Sequence, residues 1–132
     1  MSEENVGRAR RMIEWFNARD EEAAQAHSTD DVEIVPLRAA MEGTSYRGPQ
    51  AFAAFGADSE ASWEEIRFDP EALRDGGERV VAIGHLSARG RSSGVEVNAR
   101  VAMLFEFRGN KLSHARIHSD VDEALKAAGL SE

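Results

Sequence analysis

The stretch "NKLSHARIHSD" (residues 110–120) holds His114 and His118 four positions apart, with Asp120 two beyond. On a helix, that spacing sets two imidazoles on one face, where they could share a divalent metal. A nearby aspartate could instead orient one imidazole for general-base work. On a strand the outcome differs. Residues four apart still share a face, but at about 3.3 Å per residue they stand about 13 Å apart, while zinc–nitrogen bonds are about 2.0–2.1 Å. One ion cannot take both side chains from a single strand. The local pattern reads as a strand, with Leu112, His114, Arg116 and His118 on one face and Ser113, Ala115, Ile117 and Ser119 on the other. Asp120, followed three residues later by Glu123, has the pattern of a helix cap. No metal is expected here.

Charge narrows the partners. The 132 residues include 16 Lys and Arg against 24 Asp and Glu, a net charge of −8. An acidic balance argues against nucleic-acid binding, which needs a basic surface to meet the phosphate backbone. The two basic clusters, "RARR" (8–11) and "ARGR" (88–91), fall on a solvated helix face and in a turn. No apolar run approaches the roughly 18 residues of a membrane span, so no membrane partner is expected. The segment "MSEENVGRARRMIEWF" is charged throughout and lacks the apolar core of a secretion signal. The absence of cysteine removes disulfides and thiolate chemistry and suits the cytoplasm, the expected location. At 42% apolar and 30% charged residues, the chain reads as one domain over residues 1–132.

The elements that must carry any site follow from periodicity. Ser2, with Glu3 and Glu4 behind it, starts a helix in which Val6, Ala9, Ile13 and Phe16 recur at helical spacing beside Met12 and Trp15. Asn17 to Asp20 interrupts it, and Asp20 caps a short second helix reaching about His27. "VEIVPL" (32–37) has strand composition and ends at Pro36. In "YRGPQAFAAFG", Pro49 sits as a first helical residue, and Phe52 and Phe55 form an i, i+3 pair in a helix over about 49–61. From Trp63 the period changes to two, through "EIRFDPEAL", the turn "DGGE", "RVVAIGHLSA" and the turn "GRSSG". In "VEVNARVAMLFEF" the residues Val95, Val97, Ala99, Val101, Met103, Phe105 and Phe107 share one face. "RGN" turns the chain into "KLSHARIHS", and a last helix follows, closed by Gly129 and Leu130. Helices first and long antiparallel strands after them make an α+β fold.

This order, with "FNARD", "YRG", "RGRSSGVEV" and "FRGNKLSHARIHSDVDEAL" as its most specific pieces, resembles the SnoaL-like family of the nuclear transport factor two-like superfamily over nearly the whole chain. The resemblance implies a cone: a strongly curved antiparallel sheet wrapped around N-terminal helices and enclosing an apolar pocket. It also implies a homodimer packed through the outer sheet face. Leu104, Ala102, Val81 and Ile83 would otherwise expose an apolar patch there. The superfamily includes polyketide cyclases, ketosteroid isomerases, epoxide hydrolases and many binding modules, so fold does not settle function.

The resemblance allows each chemistry to be sought by position. A ketosteroid isomerase needs a carboxylate base, a tyrosine and a neutral carboxylic acid. Their slots fall at Val35, Met12 and Met103. The second aspartate of an epoxide-hydrolase relay falls at Ile117, and its first pair near Gly84 and Leu86. The inner rows of the two C-terminal strands offer no cyclase aspartate. What remains is an apolar pocket: Met12, Trp15, Phe16, Val35, Tyr46, Phe52 and Phe55 from the first half of the chain. The second half supplies Trp63, Leu86, Val101, Met103, Phe105, Ala115 and Ile117. Trp15, Tyr46 and Trp63 could present polar edges to it. Glu33 and Glu42, with Arg38, flank the mouth in the implied fold and could act as a base if desolvated. His85 is a further candidate general base, as histidine side chains often are, but strand parity points it to the outer face. The sequence therefore supports a pocket for a small apolar, cyclic or polyketide-like molecule, without cofactor. The alternatives are a cofactor-independent acid–base enzyme acting on such a molecule and a dimerisation module whose core is filled by its own side chains.

Overall fold

The computed structural model of the protein describes residues 2–37 and 45–130. Helix α1 (Ser2–Ala18) places Glu3 and Glu4 in its first turn, where the helix dipole favours acids, and buries Ala9, Met12 and Ile13 along one side. Arg19 follows in the left-handed region, at φ 58°. Asp20 then accepts the amide of Ala23 at 3.1 Å and starts α2 (Glu21–Ala26), as its cap pattern predicts. Asn17 fixes where α1 lies. Its side-chain amide donates to the Phe68 carbonyl and accepts the Phe68 amide, both at 2.8 Å, so the end of the helix is stitched to the sheet.

Strand β1 (Ser28–Val35) begins four residues earlier than its apolar run suggests and stops at Pro36. A two-residue strand, β2 (Tyr46–Arg47), pairs with it and is too short to leave a periodic signal. Helix α3 (Ala51–Ser62) starts two residues after Pro49 instead of at it. Its N-cap residue Gln50 makes no side-chain bond. Gln25 of α2 does that work from a distance: Oε1 accepts the Phe52 amide at 3.1 Å, and Nε2 donates to the Gly48 carbonyl at 3.4 Å.

The strands β3 (Trp63–Gly76), β4 (Arg79–Gly90), β5 (Glu96–Arg108) and β6 (Lys111–His118) form consecutive hairpins, and α4 (Val121–Ala127) ends the fold, with Asp120 accepting the Glu123 amide at 3.2 Å. The sheet order is β2-β1-β6-β5-β4-β3. Every pairing is antiparallel except β1 with β6, which is parallel, so the expected all-antiparallel sheet is corrected at that one seam. The path through α3 and the hairpins brings β6 back in the direction of β1, a parity that local patterning does not encode.

Extra residues bend this curved sheet. Glu71 of β3 falls between the pairs Pro70–Gly84 and Ala72–Ile83. Ser113 of β6 falls between Glu106–His114 and Phe107–Leu112. Such bulges increase local twist and re-aim the side chains beyond them. The second one turns Leu112 onto the inner face, where it is buried, and so corrects the simple alternation that placed it beside the histidines. At the first, Gly84 is needed for contact distance: a Cβ there would overlap the Asp69 carbonyl oxygen and lie 2.8 Å from Pro70 Cα.

Both faces of the central strands are covered. The inner face packs Phe68, Val80, Ala82, Leu86, Val101, Met103, Phe105 and Phe107 against the N-terminal helices. On the outer face Val81, Ile83, Ala102 and Leu104 pack under α4 against Ala124, Leu125 and Ala128. The apolar patch expected to drive a dimer is therefore covered within the chain by its own last helix. His118 lies under that helix too, with a side chain only 7% exposed and Nδ1 at 3.5 Å from Glu123 Oε1. Its Nε2 is buried without a hydrogen-bond partner among the described residues. Burial, and then the Arg116 charge, hold its pKa below the usual histidine value, while Glu123 opposes them.

Two outcomes follow from this packing. Gly84→Ala should destabilise the protein by about 2–4 kcal/mol, because its neighbours are backbone atoms. Gly7→Ala, in open space on α1, should stabilise it by up to about 1 kcal/mol; urea unfolding of the pair checks the contrast. For His118 the folded-state pKa lies below the unfolded one, so the unfolded chain binds more protons between the two values. Stability from this group is complete above about pH 6.5 and falls as the pH drops below it. Thermal midpoints measured from pH 7.5 to 5.5 should decline, and should decline less in His118→Gln.

Candidate functional site

The curved sheet and the first three helices leave a cavity of about 240 Å³. Its floor is sheet: Ile34 and Val35 of β1, Ile66 of β3, Met103 and Phe105 of β5, and Leu112, Ala115 and Ile117 of β6. Its roof is helical, with Met12, Trp15 and Phe16 from α1, Ala24 from α2, and Phe52, Phe55 and Gly56 from α3. The polar residues on its wall are Arg19, Asp20, Glu21, Ser59, Glu60 and Arg116.

Aromatic contacts hold the roof in place. Phe55 stacks on Phe16 with centroids 6.3 Å apart and meets the edge of Tyr46 at 5.6 Å. The Trp15 ring lies 4.7 Å from the His27 ring. Tyr46 is 8% exposed, and its hydroxyl donates to Asp58 Oδ2 at 2.5 Å. The tyrosine is thus a strut between β2 and α3.

Of the fourteen residues expected at the pocket, ten border this cavity: Met12, Trp15, Phe16, Val35, Phe52, Phe55, Met103, Phe105, Ala115 and Ile117. Tyr46, Trp63, Leu86 and Val101 do not. Tyr46 is taken up by its strut contacts, and Trp63 sits at the end of the sheet opposite Gly90. Leu86 and Val101 are buried in the filled part of the core, where Leu86 opposes Phe68 and Val101 opposes Gly84.

The titratable candidates lie elsewhere. His85 is half exposed on the outer face, with Nδ1 3.1 Å from Glu71 Oε1. Glu33 is held by Arg47 at 3.2 Å and Ser45 at 3.1 Å, with His114 Nδ1 at 3.4 Å. Burial pushes its pKa up, but these partners together set it below the usual glutamate value, opposite to what a neutral-pH base requires. Glu42 and Arg38 lie outside the described residues. His114 and His118 have separate partners, Glu33 and Glu123, and no group of three or more metal-ligating side chains occurs among the described residues.

Glu21 was not foreseen. It directly follows a helix cap, a position normally read as solvated, and only the packing of α2 against α3 brings it to the cavity wall. Leu112 was missed for a different reason, the bulge at Ser113. An acidic first-turn residue facing a glycine on the next helix would have been the available signal for Glu21.

Comparison with known proteins places this geometry. The model of the SnoaL-like domain matches residues 9–115. An NTF2-like protein of unknown function from Burkholderia pseudomallei K96243 shares 21% identity at a TM-score of 0.78, over 93% of this chain and 95% of that one. An NTF2-like protein from Burkholderia xenovorans LB400 shares 23% at 0.77, over 97% of each chain. A protein named TerC, co-crystallised with polyporic acid, shares 19% at 0.76, over 96% of this chain and 98% of that one. At these identities the likeness is one of fold. No curated protein matches the sequence.

The cavity's dryness can be tested by titration. Met103 is 5% exposed on its floor. An aspartate there would be desolvated, which raises a buried acid by as much as 3–5 units. Its folded-state pKa would lie above the unfolded value of about 3.9, so ionisation would favour the unfolded chain. Met103→Asp should be about 2–4 kcal/mol less stable than the Met103→Asn control at pH 7, with the gap closing as the pH falls toward 5. Parallel pH–stability curves would place Met103 in water.

Proposed function

The chain belongs to the SnoaL-like domain family, and from that premise we propose that it binds a small, mainly apolar molecule between its sheet and its helices, without a cofactor. The observation that carries this reading is the cavity beside Met12, Val35, Met103 and Ile117. A core filled by its own side chains would leave no such space. A 150 Å³ apolar cavity is enough to bind benzene, so about 240 Å³ suits one substituted ring. This is slightly below the roughly 300–1,000 Å³ of pockets for drug-sized ligands.

The same four residues weigh against the chemistry of the better-known superfamily enzymes. Where an isomerase or an epoxide-hydrolase relay needs polar groups, this chain has Met, Val, Met and Ile. Of the acid–base candidates read from the sequence, neither Glu33 nor His85 borders the cavity. Binding is therefore the better supported activity. A homodimer through the outer sheet face is a weaker proposal, since α4 covers the apolar patch. The groups left around it are polar or charged, including His85, Glu71 and Arg100.

Trp15 borders the cavity and Trp63 does not, which provides a readout. Titrating propylbenzene into Trp63→Phe should change the Trp15 emission, and the same titration of Trp15→Phe should leave the emission flat. Ile117→Phe should fill the space and weaken binding by more than tenfold while leaving the fold intact. Native mass spectrometry of protein purified from its host should show a co-purifying small molecule that is absent from Ile117→Phe. Unchanged propylbenzene affinity in Ile117→Phe would sink the proposal.

A further inference from the structure

Glu21 carries one carboxylate oxygen, the buried Oε2, that has no hydrogen-bond partner among the described residues. The residue borders the cavity at the first turn of α2. Arg19 and Arg116 also border the cavity, but among the described residues neither forms an ion pair with it. A buried carboxylate oxygen left unpaired carries the cost of its lost hydration, and folded proteins normally offset that cost with a donor. The neighbouring helix makes room for this one. A Cβ on Gly56 of α3 would overlap Glu21 Oε1 and stand 2.8 Å from its Cγ and Cδ, so the carboxylate rests on the bare glycine. Gly56 sits inside a helix, where glycine is the least favourable residue after proline, and its space is used by Glu21.

Resting on the proposed binding function, we infer that Glu21 is the polar anchor of the cavity and that the ligand is an apolar molecule ending in a protonated amine. The apolar walls take the body of such a molecule, and the ammonium supplies both the donor and the positive charge the carboxylate lacks. The wall's charges point the same way: Asp20, Glu21 and Glu60 outnumber Arg19 and Arg116. Gly56 acts as a positioning residue, since its missing Cβ makes room for the carboxylate at the cavity wall.

Calorimetric titration with phenethylamine, phenethyl alcohol and propylbenzene separates the terms. Phenethylamine should bind the parent at least tenfold more tightly than propylbenzene. That ratio should fall close to one in Glu21→Gln, which keeps the side chain's shape, and also in Gly56→Ala, which keeps the charge but displaces it. Propylbenzene should still bind both variants, and circular dichroism should show both folded as the parent is. An amine preference that persists in Glu21→Gln would overturn the anchor, and phenethyl alcohol binding as tightly as the amine would overturn the cationic class. In both cases the cavity reading stands. If none of the three probes binds the parent, the binding function fails and the anchor with it.

Discussion

The curvature of the sheet is the constraint on which the other features depend. A flat sheet of strands this long would meet the N-terminal helices along a continuous interface and leave no cavity. Bulges at Glu71 and Ser113 bend it, and Gly84 allows the backbone of β3 to close on β4 at the first of them. The cavity lies between the inner rows of β1, β5 and β6 and the N-terminal helices. Asn17 ties the end of α1 to the sheet, with both polar ends of its side chain committed to Phe68.

The outer face of the same sheet is covered as well. The central strands are apolar on both sides, as β4 shows with Val80 and Ala82 inside and Val81 and Ile83 outside. The outer row is closed by α4 packing onto Val81, Ile83, Ala102 and Leu104. This arrangement takes His118 out of water, and its Nε2 has no partner among the described residues, so burial holds its pKa below the usual histidine value and favours the neutral imidazole. A histidine that looks catalytic in sequence thus acts as a packed residue whose titration is coupled to stability.

The cavity wall separates two kinds of polar residue. Glu33 has cationic and hydroxyl partners and lies away from the cavity. Glu21 lies on it, and its Oε2 has no hydrogen-bond partner among the described residues. The distinction matters because a satisfied carboxylate contributes to structure, whereas an unsatisfied one beside an empty apolar space is available to a ligand. Tyr46 illustrates the first kind as well. It is buried and polar, yet occupied by Asp58.

The sequence alone determined most of the elements, though not β2, and named ten residues that border the cavity. The caps at Asp20 and Asp120, the end of β1 at Pro36 and the alternation of Val101, Met103, Phe105 and Phe107 are local signals, set by backbone hydrogen bonding and side-chain period. The strand reading of residues 111–118 followed from the same periodicity and separated His114 from His118. Tertiary structure decided what depends on path and register. Whether β6 runs parallel to β1, whether Ser113 is a bulge that sends Leu112 inward, and whether the apolar outer row meets a second copy or α4 are questions of how distant segments meet. Glu21 belongs with these. Its neighbour Gly56 is 35 positions away in the chain, and the fit between a carboxylate and a missing Cβ exists only once α2 and α3 have packed.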